Sequence, residues 1–336
     1  IWFANFGLKI KHVKSQKRII ILSLSVSILL MLVKFFAYFI TSSNAILTDA
    51  AESIVNVLAS AFAFYSIYLS SQPRDINHPY GHGKVEFFAV FVEGSLISMA
   101  GLLILFKSIY AIFYPHAITN ISEGALIIGA TGLINLLLGL YLINSGKKLN
   151  SITLQADGKH LLTDAVSSAG LVAGLILISF TGIYVLDSLL SMALGFYVCY
   201  SGYRLARKSV GGLMDESDLT KVEAIIAVLQ ANRQSSWIDV HNLRTQQYGS
   251  DLHIDCHITL PYYFDLNQAH EQVSAIDALV NNHIFEDTEF FIHTDPCIPQ
   301  CCHYCRMESC KVRGEAQQKD IVWTADRVVK NQKHFD

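Results

Sequence analysis

Six stretches of about 20 or more predominantly apolar residues, at about 19–41, 45–69, 87–113, 122–145, 152–181 and 183–204, restrict this chain more than any other feature. A hydrocarbon core ~30 Å thick is crossed by ~20 helical residues, and backbone polar groups in lipid must be satisfied within their own segment. Each stretch therefore reads as a membrane-spanning helix. With 52% hydrophobic and 16% charged residues over 336 positions, the chain is too apolar for an ordinary soluble domain. The apolar runs end near Gly212 and polar residues dominate after it, which predicts a membrane domain followed by a soluble one. The chain opens at Ile1 rather than Met, and the first run has spanning length with no small-residue cleavage site after it, so it is expected to be a span and not a signal peptide.

Basic residues that flank short loops stay cytoplasmic. Lys9, Lys11, Lys14, Lys17 and Arg18 precede span one, Arg74 and Lys84 lie between two and three, Lys147 and Lys148 between four and five, and Arg204, Arg207 and Lys208 follow six. All fall on one side, and the opposite loops around 41–44, 114–120 and 181–182 contain no Lys or Arg, so both termini are expected in the cytosol. Lys34 and Lys107 lie inside spans, where a long stem is expected to snorkel to the interface. The net charge of -3 and the absence of a basic stripe with interleaved aromatics argue against nucleic acid as a partner.

Ionisable residues at membrane depth cost several kcal/mol on most scales and call for a reason. Span two carries Asp49, Glu52 and Asn56, and span five carries Asp157, His160 and Asp164, with the same i, i+3, i+7 spacing. Those offsets fall within roughly 60° of one another on a helix, so each trio forms one stripe and the two stripes can face each other. Asn56 and Asp164 come out near mid-depth, with Asp49 toward the outside and Asp157 toward the cytosol as flanking acids. Imidazole, carboxylate and amide oxygen make a mixed N/O set suited to Zn2+ and tolerant of Fe2+, Mn2+ or Co2+. The same groups can take up protons when a metal leaves. The plainer reading is interhelical hydrogen bonding, with Asn56 as glue and His160 paired to Asp164. Six residues in two matching stripes favour the metal.

The motifs TDAAESIVN in span two, HPYGHGK in the following loop, ADGKHLLTD in span five, LMD after span six and IHTDP near the end resemble the cation diffusion facilitator family, over about residues 17–296. The resemblance implies export of divalent metals, mostly zinc, from the cytosol by homodimers driven by proton exchange, with six spans and a cytosolic ferredoxin-like domain. It implies a transport site of Glu52, Asn56, His160 and Asp164. The family usually shows His or Asp followed by Asp in span two, so Glu52 and Asn56 are departures that bear on ion choice. The resemblance also implies a loop metal site of Asp75, His78 and His82, and a charge interlock between subunits from Lys84 and Asp215. A cytosolic site would use His241, His257, His270, His293 and Asp295.

After Ser217 the pattern reads helix (Val222, Ile225, Ile226 and Leu229 at helical spacing), strand, strand, helix from about Leu266, and a strand ending at His293. That order fits a small α+β sandwich. At roughly 80 residues it is marginal alone, which makes dimerisation physically sensible. Alternation in DLHIDCHITL puts His253, Asp255 and His257 on one face, and His253 is expected either to be a solvated strand residue or to join the cytosolic site. The expected fold is thus a membrane all-α six-helix transmembrane domain plus a C-terminal cytosolic α+β ferredoxin-like domain. Its divisions are a cytosolic segment 1–18, a transport domain 19–208, a dimerisation and metal-binding domain 209–296 and a Cys-rich flexible tail 297–336. That tail holds Cys297, Cys301, Cys302, Cys305 and Cys310, whose spacing matches no zinc finger, so metal binding and an unstructured tail both remain open.

These features predict a non-enzymatic divalent cation exporter, with Zn2+ as substrate, protons as coupling ion and the lipid bilayer of a bacterial inner membrane as its setting. A transporter of Fe2+, Mn2+ or Co2+ is the nearest alternative. A non-transporting metal sensor has no need of ligands at mid-bilayer, and an intramembrane hydrolase would need a metal-and-base motif such as H-E-x-x-H, which the sequence lacks.

Overall fold

The computed structural model describes residues 2–41, 44–113, 121–181, 185–249, 251–283 and 288–335. The expected outer loops lie wholly or partly outside them, and so do the side chains of Asp49 and Glu52. The chain divides into two compact units, Ile1–Met214 and Asp215–Asp336.

The first unit consists of α1 (Trp2–Thr41), α2 (Asn44–Ser70), α3 (Val85–Phe113), α4 (Ile121–Lys148), α5 (Ile152–Thr181) and α6 (Val185–Leu213), which follow the six expected spans closely. Two ends differ. The segment before residue 19 is helical from Trp2 and continuous with the first span, and α6 runs past 208 to Leu213. Among the described residues, stretches of α1, α3 and α4 are long and apolar enough to cross a membrane by themselves (Lys14–Phe36, Val85–Phe113 and Leu126–Lys148). The polar stripes lie instead on α2 and α5. The outward surface carries Leu29, Phe106, Leu137 and Phe196, while Ser23, Ser60, Glu86, Glu93, Thr153 and Asp157 are buried. That inversion is what lipid imposes, because polar groups must find partners inside the bundle. Lys34 is buried rather than snorkelling, whereas Lys107 is exposed.

Two helix pairs approach backbone to backbone. A Cβ on Gly94 of α3 would lie 2.6 Å from Ala206 N, one on Gly101 would lie 2.5 Å from Cys199 N, and one on Gly202 of α6 would lie 2.5 Å from Ser98 N. Gly139 of α4 and Gly158 of α5 face each other in the same way, each hypothetical Cβ 2.8 Å from the other's carbonyl oxygen. Lipid supplies no hydrophobic drive between helices, so small residues that admit close backbone contact hold such seams.

The second unit contains α7 (Leu219–Ala231), β1 (Asp239–Tyr248), β2 (Asp251–Leu260), α8 (Leu266–His283) and β3 (Thr288–Pro296), in the order read from the sequence. β2 lies in the middle of the sheet, antiparallel to β1 and parallel to β3. Asp218 caps α7 by accepting the Thr220 N–H at 3.1 Å. Val222, Ile225, Ile226 and Leu229 of α7 pack with Ile254, Cys256 and Ile258 of β2 in one core. The alternation along β2 thus holds for its apolar face. His253 departs from the solvated expectation, since it is buried, with Nδ1 3.3 Å from Glu289 and its ring edge-on to Tyr248.

The segment after Pro296, expected to be a flexible tail, is folded into this same unit. A 3-10 turn (Pro299–His303) follows β3, and a short helix, α9 (Ala325–Val328), lies near the end. Cys301, Tyr304, Cys305, Ile321, Trp323 and Val328 belong to the domain core. Arg233 clamps the segment by donating to the carbonyls of Ile321 (2.6 Å) and Ile238 (2.7 Å) while lying 4.0 Å over the Trp323 ring. Burial, and then the nearby Arg306, bring its guanidinium down to about 10. The Asn242 N–H reaches the Lys330 carbonyl at 2.9 Å, and His334 Nδ1 lies 2.7 Å from Asp239. The sequence conceals this docking because its apolar anchors are scattered without strand or helix period.

Two outcomes follow from this packing. Gly202→Ala should overpack the α3–α6 seam by ~1–3 kcal/mol and lower the yield of monodisperse protein in detergent. Gly129→Ala, whose Cβ would meet only Val172 at 3.9 Å, should not. His334 is raised above the ordinary imidazole range: burial is the largest single influence and opposes its charge, but the hydrogen bond to Asp239, the Asp239 charge and the Arg327 carbonyl together outweigh it. A raised folded value means that this anchor is fully present below about 6.5 and is lost as pH climbs through the raised value. Limited proteolysis within 297–335 should therefore quicken as pH rises above about 6.5, and His334→Gln should flatten that dependence.

Candidate functional site

Asn56 of α2 faces His160 and Asp164 of α5. Asn56 Nδ2 donates to Asp164 Oδ2 at 2.6 Å, and Asn56 Oδ1 lies 2.9 Å from His160 Nε2. His160 Nε2 and Asp164 Oδ2 are 4.0 Å apart. Three of the four residues expected in the transport site therefore converge, and the Glu52 side chain lies outside the described residues, as does that of Asp49. Asp157 is fully buried and accepts from Ser23 of α1 at 2.6 Å and Ser60 of α2 at 3.0 Å.

Two carboxylates on α3 escaped the sequence reading. Glu86 accepts from Ser70 of α2 (2.8 Å) and from Ser151 (3.3 Å) and Thr153 (3.2 Å) at the start of α5. Glu93 is buried, its Oε1 has no hydrogen-bond partner among the described residues, and its charge interacts with those of Asp157 and Asp164. The signal was present as two acids seven apart in VEFFAVFVEG, the same one-face spacing used for α2 and α5. On α5 the polar line runs Thr153, Asp157, His160, Asp164, about 16 Å at 1.5 Å per residue. It connects the Glu86 end of the bundle to the Asn56 cluster.

The loop between α2 and α3 forms a compact second group. Asp75 accepts the N–H groups of Asn77 (2.9 Å) and His78 (2.7 Å), and Gly81 turns the chain at a φ of 87 that an L side chain rarely adopts. His78 Nδ1 lies 3.0 Å and His82 Nε2 3.4 Å from the Asp75 carboxylate. All three donor atoms fall within 4.8 Å of one another. The His78 N–H above all holds the Asp75 carboxyl below its usual range, keeping it ionised as a ligand must be.

In the second unit, strand register aligns His241, His257 and His293 side by side across β1, β2 and β3. Asp295 sits among them, with Oδ2 3.2 Å from both His241 Nε2 and His257 Nδ1 and Oδ1 3.6 Å from His293 Nε2. His241, His257 and Asp295 bring donor atoms within 4.8 Å. Burial lowers His241 below the ordinary imidazole value, which favours the neutral ligand form, and Asp239 stands behind it 3.6 Å from Nδ1. Three N/O donors in this geometry fit a divalent transition metal. His270 does not join them, being exposed on α8 outside the group.

Comparison with known proteins agrees with both units. Residues 20–214 match the cation efflux transmembrane domain, and residues 217–297 match the cytoplasmic domain of cation efflux proteins. An uncharacterised transporter of Synechocystis sp. is 35% identical over 79% of this chain and 85% of its own length. The cation-efflux pump FieF of Serratia proteamaculans is 29% identical over 80% of this chain and 89% of its own, and protein p34 of Rickettsia prowazekii 25% identical over 85% and 94%. With a polar line inside a helical bundle, two His/Asp clusters outside it and both domain matches in sequence order, the chain belongs to the cation efflux, or cation diffusion facilitator, family of divalent-cation transporters.

Proposed function

We propose that this chain exports Zn2+ from the cytosol in exchange for protons, by alternating access, as a homodimer in a bacterial inner membrane with both termini in the cytosol. The observation that carries this reading is the convergence of Asn56, His160 and Asp164 across α2 and α5. Asn56 Nδ2 and Oδ1, Asp164 Oδ2 and His160 Nε2 are joined by hydrogen bonds that a cation can replace. Glu52, one turn from Asn56, completes the proposed transport set, and Asp49 and Asp157 flank it. A divalent ion offsets two carboxylates, and its departure leaves charges that are costly at membrane depth unless protons take its place. That exchange couples the two fluxes without any further device.

Glu93 and Asp157 add carboxylates along the same line and offer cations a path toward the cluster. The groups Asp75–His78–His82 and His241–His257–Asp295, with His293 beside the second, are proposed as bound-metal sites outside the membrane. Lys84 and Asp215 are proposed to pair between subunits. The carboxamide at Asn56 supports a second reading for ion choice. An amide oxygen in place of a carboxylate weakens the preference for Zn2+ and widens the site toward Mn2+ and Fe2+.

Proteoliposomes bearing an imposed pH gradient and offered Zn2+, Fe2+, Mn2+ and Co2+ in turn should take up Zn2+ and lose uptake when the gradient is collapsed. Binding without uptake for every ion would favour the sensor. His160→Ala and Asp164→Ala should abolish uptake, and normal uptake by Asp164→Ala would remove the cluster from the path. Asn56→Asp should sharpen selectivity for Zn2+ over Mn2+, and an unchanged metal panel would reduce Asn56 to packing. Glu93→Gln should slow uptake by about tenfold, or ~1.4 kcal/mol in barrier, if its carboxylate is on the route.

A further inference from the structure

The match to the family's cytoplasmic domain stops at residue 297, and at that residue the chain enters a cavity of about 360 Å³. Cys297, Cys301, Cys302, Cys305, Cys310 and Met307 all line it. Every one of these cysteines is a free thiol. They do not play one part. Cys301 is buried in the domain core and accepts a hydrogen bond from the Tyr304 hydroxyl at 3.3 Å, so its sulfur is already used in packing. Cys297, Cys305 and Cys310 are mutually close enough for each pair to interact electrostatically, and Cys302 lies near Cys305. The Tyr263 hydroxyl, which donates to Met307 Sδ at 3.4 Å, stands among the same sulfurs. Burial first, and then Cys310, Cys297 and Cys305, push it up to about 12.

Three or four thiols around one half-enclosed space are a poor arrangement for a metal-free protein. Each must stay protonated in partial burial, and none can ionise without repelling the others. A soft cation reverses both penalties, because thiolate is its preferred ligand and its charge offsets the repulsion. Arg313 strengthens the case. Its Nη2 donates to the carbonyls of Cys305 (2.7 Å) and Met307 (3.1 Å), fixing the turn that carries Cys305 and placing a positive charge beside the thiols. A ligand set of three or four thiolates around a divalent ion carries net negative charge, which an adjacent guanidinium balances.

We propose that Cys297, Cys305 and Cys310, with Cys302 as fourth thiol, form a binding site for one thiophilic d10 cation, Zn2+ in the first instance, separate from the His/Asp groups. Each ligand sulfur releases its proton to solvent as an S–metal bond forms, and nothing is oxidised. Among the described residues only the two His/Asp groups already hold three donor atoms within 4.8 Å, so the thiols close on the ion by side-chain rotation into the cavity. The inference does not depend on transport, since it concerns residues beyond the matched domains.

The test uses the full chain, purified in detergent under reductant and stripped with a chelator. Titration with Cd2+ should produce an ultraviolet thiolate-to-metal charge-transfer band that saturates at one equivalent. The N/O donors of the other groups give no such band, and the remaining thiols, Cys199 and Cys256, stand apart from the cavity. The variant Cys297→Ser/Cys305→Ser/Cys310→Ser should lose the band and one bound Zn2+ per chain. Absence of the band in the native chain, or its survival in the variant, overturns the site. Should the triple variant fail to fold, alkylation of the native chain decides by mass spectrometry. Added Zn2+ should slow labelling of Cys297, Cys305 and Cys310 by about tenfold or more, whereas labelling that ignores Zn2+, or a disulfide among these residues in reduced protein, overturns the proposal.

Discussion

A polar group buried at membrane depth has no water to fall back on, and the rest of the helical unit is arranged around that requirement. Asp157 is the clearest instance, since it draws hydroxyls from α1 and α2 onto a carboxylate of α5. Glu86 does the same between α2, α3 and α5. These bonds join helices that sequence alone would leave as independent apolar rods. They also fix the rotation of α2 and α5 about their own axes, so that Asn56 meets His160 and Asp164 instead of lipid.

What the sequence made legible follows the reach of each signal. Spans are announced by length and hydrophobicity, which are local, and all six helices lie where those signals put them. The stripes on α2 and α5 were legible because helical period is local too, and strand alternation in β2 correctly assigned its apolar face. Glu86 and Glu93 went unnoticed although their spacing was in view, because the groups around them, Ser151 and Thr153 at Glu86 and Asp157 and Asp164 at Glu93, are distant in the chain. His253 illustrates the limit of alternation: it shares a face with His257, but that face is covered at one end by Tyr248 and Glu289. His270 came in by resemblance and not by any pattern of its own, and the fold leaves it outside the cluster. The segment after Pro296 was misjudged for a third reason. Its composition is polar, yet a few scattered apolar residues and the Arg233 clamp are enough to seat it.

The two tight seams, α3 with α6 and α4 with α5, set a further condition on the polar line. Glycines there let the backbones touch at Gly94, Gly101 and Gly202 and at Gly139 and Gly158, while larger side chains such as Ile97 and Val198 pack between the close points. The carboxylates and the imidazole lie elsewhere, on the faces of α2, α3 and α5 that look into the bundle. Rigid pairs around a polar interior are a sound frame for a site that must keep its geometry while gaining and losing charge.

The return of the chain terminus to β1 bears on how such a sheet can associate. β1 and β3 are both edge strands, and an uncovered edge invites pairing with another sheet. On the β1 side the Asn242 N–H is taken by Lys330, Asp239 is held by His334, and a bulge at Asn242 breaks the regular ladder. A second sheet approaching from that side meets an obstructed and kinked strand. Any strand pairing between copies is thereby turned away from β1 toward the β3 edge, and pairing through one edge alone joins two copies and no more.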